Sequence, residues 1–284
     1  MNATDIIAHI NADRATSYRI VGRYGAGESG TASKVIDESL NRYVLKFGAG
    51  GEFRAENAAR TTERVRSLGY PAPEYVAIGK VEETSYALQR AMPGEPIGRR
   101  VSLALLPHLL HLNDLQHGQG ESANDEPDRL IRGVMKGYAD FCIIDTFRTY
   151  STESATLLDD LQRIVAARAS ECPKRNDIVH FDFHTNNVLI DGDEITGVID
   201  WEGSESGDCA FDLATLLFYT WPFADFREQL WLALLKRTPR GAAAVYLAHM
   251  IVRQLDWSMR HHPRETVDRY MNDAREILRA IDQV

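Results

Sequence analysis

The stretch from His180 to Asp200 constrains the chain more than any other. It runs His180-Phe-Asp182-Phe-His-Thr-Asn-Asn187, then the apolar Val188–Ile190, the turn signal Asp191-Gly192-Asp193, and Gly197-Val-Ile-Asp200. Two apolar strands joined by a tight turn form a hairpin. Asp182 and Asn187 come before the first strand and Asp200 ends the second, so the hairpin gathers two carboxylates and an amide oxygen at one end. These are hard oxygen ligands of the kind Mg²⁺ takes when it also holds phosphates. Asp, Asn and His are ordinary capping and turn residues as well. The spacing H-x-D-x-x-x-x-N, joined to a hydrophobic strand that ends in Asp, favours chemistry over capping.

The N-terminal part supplies matching pieces. A short helix around Asp5–Ile10 precedes strand-like runs at Tyr18–Tyr24, Ala32–Asp37 and Arg42–Phe47. Glu52–Leu68 reads as a helix stopped by Gly69 and the Pro71/Pro73 pair, and strands return at Tyr75–Ile78 and Ser85–Arg90. Gly25-Ala-Gly27-Glu-Ser29-Gly30 satisfies G-x-G-x-x-G, a string that dinucleotide-binding proteins also use. Those proteins need a helix next, whereas Thr31–Asp37 alternates like a strand. A glycine loop over nucleotide phosphates fits better, with Ser29 as a hydroxyl or amide contact. Lys46 sits in an otherwise apolar strand, where an unpaired ammonium is costly, so it calls for phosphate and carboxylate partners. Glu56, early on the next helix, is the first candidate partner; Glu52 and Glu63 compete with it.

Together these parts resemble the aminoglycoside phosphotransferase family, the small-molecule branch of the protein-kinase-like fold. The resemblance implies an α+β, bilobal protein: a β-rich nucleotide-binding lobe over 1–92 with one key helix, and a mostly helical lobe over 93–284 with the catalytic loop and substrate site. It implies Asp182 as the base, Asn187 and Asp200 as Mg²⁺ ligands, and Gly25, Gly27, Ser29, Lys46 and Glu56 around ATP (GTP remaining open). Gln89-Arg90-Ala91-Met92-Pro93-Gly94 is similar to the family hinge, so backbone groups of Arg90 and Met92 would meet the adenine edge. Gly207-Asp208 and Asp212-Leu-Ala resemble a further family stretch, in which Asp208 would fix the catalytic loop and Asp212 would cap a helix. Trp201-Glu202 follows the metal Asp where protein kinases carry Phe-Gly, and no Ala-Pro-Glu segment lies downstream. A protein substrate is therefore not expected.

Charge narrows the acceptor. Over 284 residues, 32 Lys+Arg against 41 Asp+Glu give −9, and the imbalance is local: residues 1–92 carry +1 and residues 93–284 carry −10. An acidic chain is a poor nucleic-acid binder, which needs a basic face. Three scattered cysteines, Cys142, Cys172 and Cys209, read as reduced thiols. No signal peptide or membrane-spanning run is visible, so a cytoplasmic protein without membrane or nucleic-acid partners is expected, as monomer or weak dimer. Acid concentrated on the acceptor lobe, with Glu202 and Glu205 beside the metal Asp, suggests a small cationic, hydroxyl-bearing substrate. The expected activity is ATP- and Mg²⁺-dependent phosphorylation of a cationic antibiotic, an aminoglycoside or a viomycin/capreomycin-type peptide, giving resistance. A metabolic kinase for choline, a sugar or an amino alcohol is the alternative, and a nucleotide-binding regulator without catalysis is a rival from another class.

Overall fold

A computed structural model describes residues 1–25, 32–49, 53–121 and 126–282. They fall into two compact units, Met1–Ile97 with Asn187–Ser204 and Gly98–Asn186 with Glu205–Val284. The change of character expected after Met92 lies after Ile97, and the segment 187–204 returns to the first unit instead of staying with the helical one. The reason is pairing: this hairpin finds its third strand in Glu95–Pro96, N-terminal to the boundary.

In the first unit, α1 (Ala3–Arg14) opens with a reciprocal cap. The Asn2 side chain accepts from the N–H groups of Thr4 and Asp5, and the Asp5 carboxylate accepts from the Asn2 N–H. Its Ile6, Ile7 and Ile10 are buried with Val35, Leu45, Ala77, Tyr86 and Leu88. Each isoleucine so placed contributes roughly 2 kcal/mol of apolar burial. The sheet they cover contains β1 (Arg19–Arg23), β2 (Ser33–Ile36), β3 (Arg42–Ala49), β4 (Tyr75–Val81) and β5 (Thr84–Arg90), in the order β1-β2-β3-β5-β4 with antiparallel neighbours. Strand alternation decides where Lys46 goes. Tyr43, Leu45 and Phe47 of β3 join the α1 core, so Lys46 stands on the opposite face. After β3, α2 (Ala55–Ser67) buries Ala55, Ala58, Thr62 and Val65.

Beyond β6 (Glu95–Pro96), the helical unit contains α3 (Leu106–Gln116), α4 (Glu126–Met135), α5 (Ile144–Tyr150), α6 (Thr152–Arg168) and the short β7 (Asp177–Val179). The expected hairpin is β8 (Val188–Asp191) and β9 (Glu194–Val198), which with β6 forms the sheet β6-β8-β9 of the first unit. Gly94 docks the connecting segment on it. At φ +91° a Cβ would collide with Thr196 Oγ1 and lie 2.7 Å from the Ile190 carbonyl oxygen, so no other residue fits.

The helical unit resumes with β10 (Glu205–Gly207), antiparallel to β7, then α7 (Ala210–Tyr219), α8 (Ala224–Leu235), α9 (Arg240–His261) and α10 (Arg264–Asp282). Buried along most of its length, α9 packs on α4, α6, α7 and α10; its run Ala242-Ala243-Ala244 admits close neighbours. The helical stretch that leads to Tyr150 is broken into α4 and α5. Gly137, at φ +71°, closes α4 with its N–H on the Arg132 carbonyl, and a Cβ there would strike the Cys142 carbonyl oxygen at 2.5 Å. No helix among the described residues is long and apolar enough to cross a membrane.

Candidate active site

The first unit holds one set of functional side chains. Lys46 Nζ lies 2.7 Å from Asp200 Oδ1 and 3.1 Å from Glu202 Oε2. Burial works against the ammonium, but the charges of Glu202 and Asp200 and their hydrogen bonds outweigh it and hold the lysine above its ordinary pKa. Asp200 sits at φ +75°, a conformation that costs a non-glycine residue on the order of 1–3 kcal/mol. A turn, Trp201–Gly203, follows it at once. Fully buried, Trp201 donates its indole N–H to the Val198 carbonyl at 2.8 Å and meets Tyr70 edge-on at 5.4 Å. This packing anchors the turn that aims Asp200 and Glu202 at Lys46.

Glu56 is not the carboxylate that meets Lys46. The buried stripe of α2 runs through positions 55, 58, 62 and 65, which leaves Glu56 on an exposed face. Glu202 occupies that role. It was expected on the acceptor side, yet its side chain is only 13% exposed and is turned to the lysine. Burial, then the like charge of Asp200, raises its pKa against the pull of Lys46. From β4, Tyr75 feels the same carboxylates: burial and the charges of Glu202 and Asp200 push its phenol well above 10.0.

Asn187 precedes β8, and Asp200 follows β9. Val188 pairs with Val198, and the Ile199 N–H donates to the Asn187 carbonyl at 2.9 Å, so the two strand ends are hydrogen-bonded neighbours. They offer one carboxylate and one amide oxygen, a hard donor set that fits Mg²⁺.

The second unit holds Asp182. Its Oδ1 accepts from Arg253 Nη2 of α9 at 2.8 Å, and Oδ2 lies 3.4 Å from His184 Nε2. Arg253 Nη1 donates to the Phe181 carbonyl, and Phe181 sits at φ +69°. Burial alone would raise the Asp182 pKa. The Arg253 charge and the His184 hydrogen bond, with the charges of His184 and His180, hold it well below the usual carboxylate range.

The loop's backbone is tied by Asp212, not by Asp208. Asp212 Oδ2 accepts from the His180 N–H at 2.8 Å and Oδ1 from the Phe181 N–H at 3.0 Å, while Gln116 Nε2 of α3 donates to Oδ2 at 2.7 Å. Asp208 instead accepts from the Ala210 N–H at the start of α7, and from the hydroxyls of Thr238 and Tyr246. The expected roles of the two residues are exchanged. The physical reason is position: Asp208 precedes the helix, where its carboxylate reaches the Ala210 N–H, whereas Asp212 lies within the helix and turns to the loop.

A sequence model of the phosphotransferase enzyme family matches residues 21–245. The chain belongs to this family. The hygromycin-B 4-O-kinase of Escherichia coli is 34% identical over 105 residues, which is 37% of this chain and 29% of that relative's length. Among solved structures, aminoglycoside phosphotransferase APH(4)-Ia superposes with a TM-score of 0.74 at 20% identity, over 98% of this chain and 99% of that one. A thermostable mutant of it, in ternary complex with AMP-PNP and hygromycin B, gives 0.74 at 19% identity, over 95% and 97%. The aminoglycoside-3'-phosphotransferase of type VIII gives 0.58 at 21%, over 87% and 97%. The fold is thus the protein-kinase-like one of aminoglycoside kinases.

The remaining expectations of the family frame fall differently. Gly27, Ser29 and Glu52 lie outside the described residues, and Gly25 is exposed at their border. In the hinge segment, the Arg90 N–H donates to the Glu74 carbonyl at 2.8 Å and its guanidinium to the Glu74 carboxylate at 2.6 Å, so that amide is committed within the sheet. Met92 is partly buried, its Cβ close to where a Gly197 Cβ would be. Glu205 forms an ion pair with Arg129, and Asp256 is buried against Arg260 at 2.9 Å. Arg253, which bonds both the Phe181 carbonyl and Asp182, was not singled out from the sequence. Its one signal was a charged side chain directly after the apolar Met250-Ile251-Val252 of a buried helix.

Proposed function

We propose that the chain is an ATP- and Mg²⁺-dependent O-phosphotransferase that phosphorylates a hydroxyl of a cationic antibiotic and so confers resistance. Hygromycin B and other aminoglycosides are the first acceptors to test. The observation that carries the reading is Asp182, held ionised by Arg253 in a loop of the spacing H-x-D-x-x-x-x-N. The hygromycin-B 4-O-kinase similarity supports the acceptor class, as does the AMP-PNP and hygromycin B complex of APH(4)-Ia.

Asp182 accepts a hydrogen bond from the acceptor hydroxyl, orients it and takes its proton as the new O–P bond forms. Lys46 leaves the Asp200 carboxylate for nucleotide phosphate and stays steadied by Glu202. Asn187 and Asp200 would hold Mg²⁺, which supplies charge neutralisation for the β- and γ-phosphate oxygens. Acceptor recognition rests on less of the acid than the net charge suggests, because Glu205 and Asp256 are neutralised by arginines.

The decisive experiment incubates the protein with ATP, Mg²⁺ and single compounds: hygromycin B, other aminoglycosides, capreomycin, viomycin and choline. A mass gain of one phosphoryl group on an aminoglycoside, with a raised inhibitory concentration in cells expressing the chain, is the expected result. Transfer to choline alone would establish the metabolic alternative, and ATP left unconsumed with every compound would refute both.

A further inference from the structure

Two elements hold the short loop 180–182 from opposite chemical sides. Asp212 of α7 takes its backbone N–H groups, and Arg253 of α9 takes its backbone carbonyl at Phe181 together with the Asp182 carboxylate. The first clamp concerns backbone alone. The second couples backbone and base through one planar group, which can be satisfied only when the Phe181 carbonyl and the Asp182 carboxylate keep a fixed separation and direction.

We propose that Arg253 is a positioning residue for the phosphoryl transfer: its guanidinium fork commits Asp182 Oδ1 and the loop carbonyl, and so directs Oδ2, which also meets His184 Nε2 at 3.4 Å, toward the acceptor hydroxyl. The proposal rests on the kinase reading above. In the step it serves, the hydroxyl oxygen bonds to the γ-phosphorus, the bond from that phosphorus to the β–γ bridging oxygen breaks, ADP leaves with the electron pair, and the hydroxyl proton passes to Asp182. Arg253 touches none of the reacting atoms and acts through Asp182.

Three observations support the assignment. The residue occupies a helix whose neighbouring positions, from Met250 to Val252 and Leu255, are fully buried and apolar, where an arginine kept only for packing is an expensive choice. Phe181 is held in the left-handed region, at a cost that the Arg253 and Asp212 bonds on either side of it offset. A lysine could not duplicate the contact, because it lacks the planar pair of N–H groups that reaches both oxygens. Around the pair, Asp182 faces His180 and His184 from its own loop and Asp212 from α7; Arg253 faces Tyr219 of α7 and Cys142 of the α4–α5 connection.

The test compares Arg253→Met and Arg253→Lys with the wild type in full-length protein. Folding is checked by circular dichroism, kcat and KM by steady-state kinetics across pH, and Asp182 ionisation by ¹³C-carboxyl NMR, with Asp182→Asn giving the assignment. Arg253→Met is expected to lower kcat by about 10²-fold with KM for ATP within about twofold, and to move the Asp182 titration and the acid limb of the rate profile to higher pH. Arg253→Lys keeps the charge and loses the fork. It is expected to leave the acid limb in place while kcat falls about tenfold. Wild-type kcat in folded Arg253→Lys would overturn the proposal, as would an unmoved Asp182 titration in folded Arg253→Met. Should Arg253→Met not fold, the lysine variant alone decides between these results. The NMR arm needs no acceptor. A shifted Asp182 titration in a protein that phosphorylates no compound would therefore uphold the clamp and refute the kinase reading.

Discussion

The carboxylates in the two units are held in contrasting ways. Asp200, in the first, is 48% exposed and bonded to a lysine side chain. Asp182, in the second, is tied to an arginine that also grips its backbone, in a loop whose N–H groups are fixed by a fully buried acid. An ammonium on a half-exposed carboxylate is a contact that an anionic ligand can exchange, because each charge finds a new partner. A guanidinium fork with backbone bonds cannot be exchanged without unmaking the loop. The difference follows the proposed division of labour: the nucleotide side must trade partners when phosphates arrive, and the base must stay where it is.

The largest expected effect lies on the fixed side. Asp182→Asn keeps the shape and removes the proton acceptor, so kcat should fall by about 10³-fold while nucleotide affinity stays within about twofold. Turnover near the wild-type rate would remove Asp182 from the chemistry. Lys46→Ala is expected to cost about 10²-fold in kcat/KM for ATP, with much of it in KM because the lost contact is to bound nucleotide. An effect on kcat alone would mean that Lys46 does not hold phosphate before the transition state.

The Asp212 network offers the next break. Asp212→Ala strands two buried backbone N–H groups and the Gln116 amide, and should destabilise the protein by about 2–4 kcal/mol in urea denaturation. Asp208→Ala removes contacts to the Ala210 N–H, two hydroxyls and Arg175, so its activity per folded molecule should stay closer to wild type. If Asp208→Ala were the one that lost catalysis, the exchange of roles seen in the structure would be wrong.

Much of this was legible in the sequence, and the failures have a common cause. Lys46 stood out as a lysine in an otherwise apolar strand, and the run Val188–Asp200 announced a hairpin with oxygen ligands at its end. Patterns within one element carry such information. The partner of Lys46, the Arg253 clamp and the exchange between Asp208 and Asp212 are contacts between elements 30 to 156 residues apart, set by packing directions that no local pattern encodes.

Asp212 and Asp182 also separate by pH. Burial pushes the Asp212 carboxyl up to about 7, whereas Arg253 and the loop histidines hold Asp182 well below its ordinary value. Asp212 therefore binds a proton in the native state that the unfolded chain has released. Its contribution is fully present below about pH 4 and is lost as pH rises through about 7. Asp182 contributes the opposite way, with stability present above about pH 4 and lost as pH falls through its depressed native value. The stability of wild type relative to Asp212→Asn should thus decline by on the order of 3 kcal/mol from pH 4 to pH 7. A difference that stays constant over that range would show Asp212 to be ionised throughout.

The smallest effects test the exchangeable side, and one of them is expected to be nothing. Glu202→Gln keeps the shape beside Lys46 but removes the charge that remains with the lysine when Asp200 turns to another partner. It should raise KM for ATP about tenfold, an effect of the size of one weakened charge-assisted hydrogen bond. Glu56→Gln alters an exposed position on α2 and should leave both kinetic constants within about twofold. The pair is informative because a resemblance at the level of the family favours Glu56, whereas the packing of Trp201 and the phase of α2 favour Glu202. A large loss in Glu56→Gln with a silent Glu202→Gln would mean that Lys46 changes partners when nucleotide binds, and the contrast between a trading side and a fixed side would then extend to the lysine's own anchor.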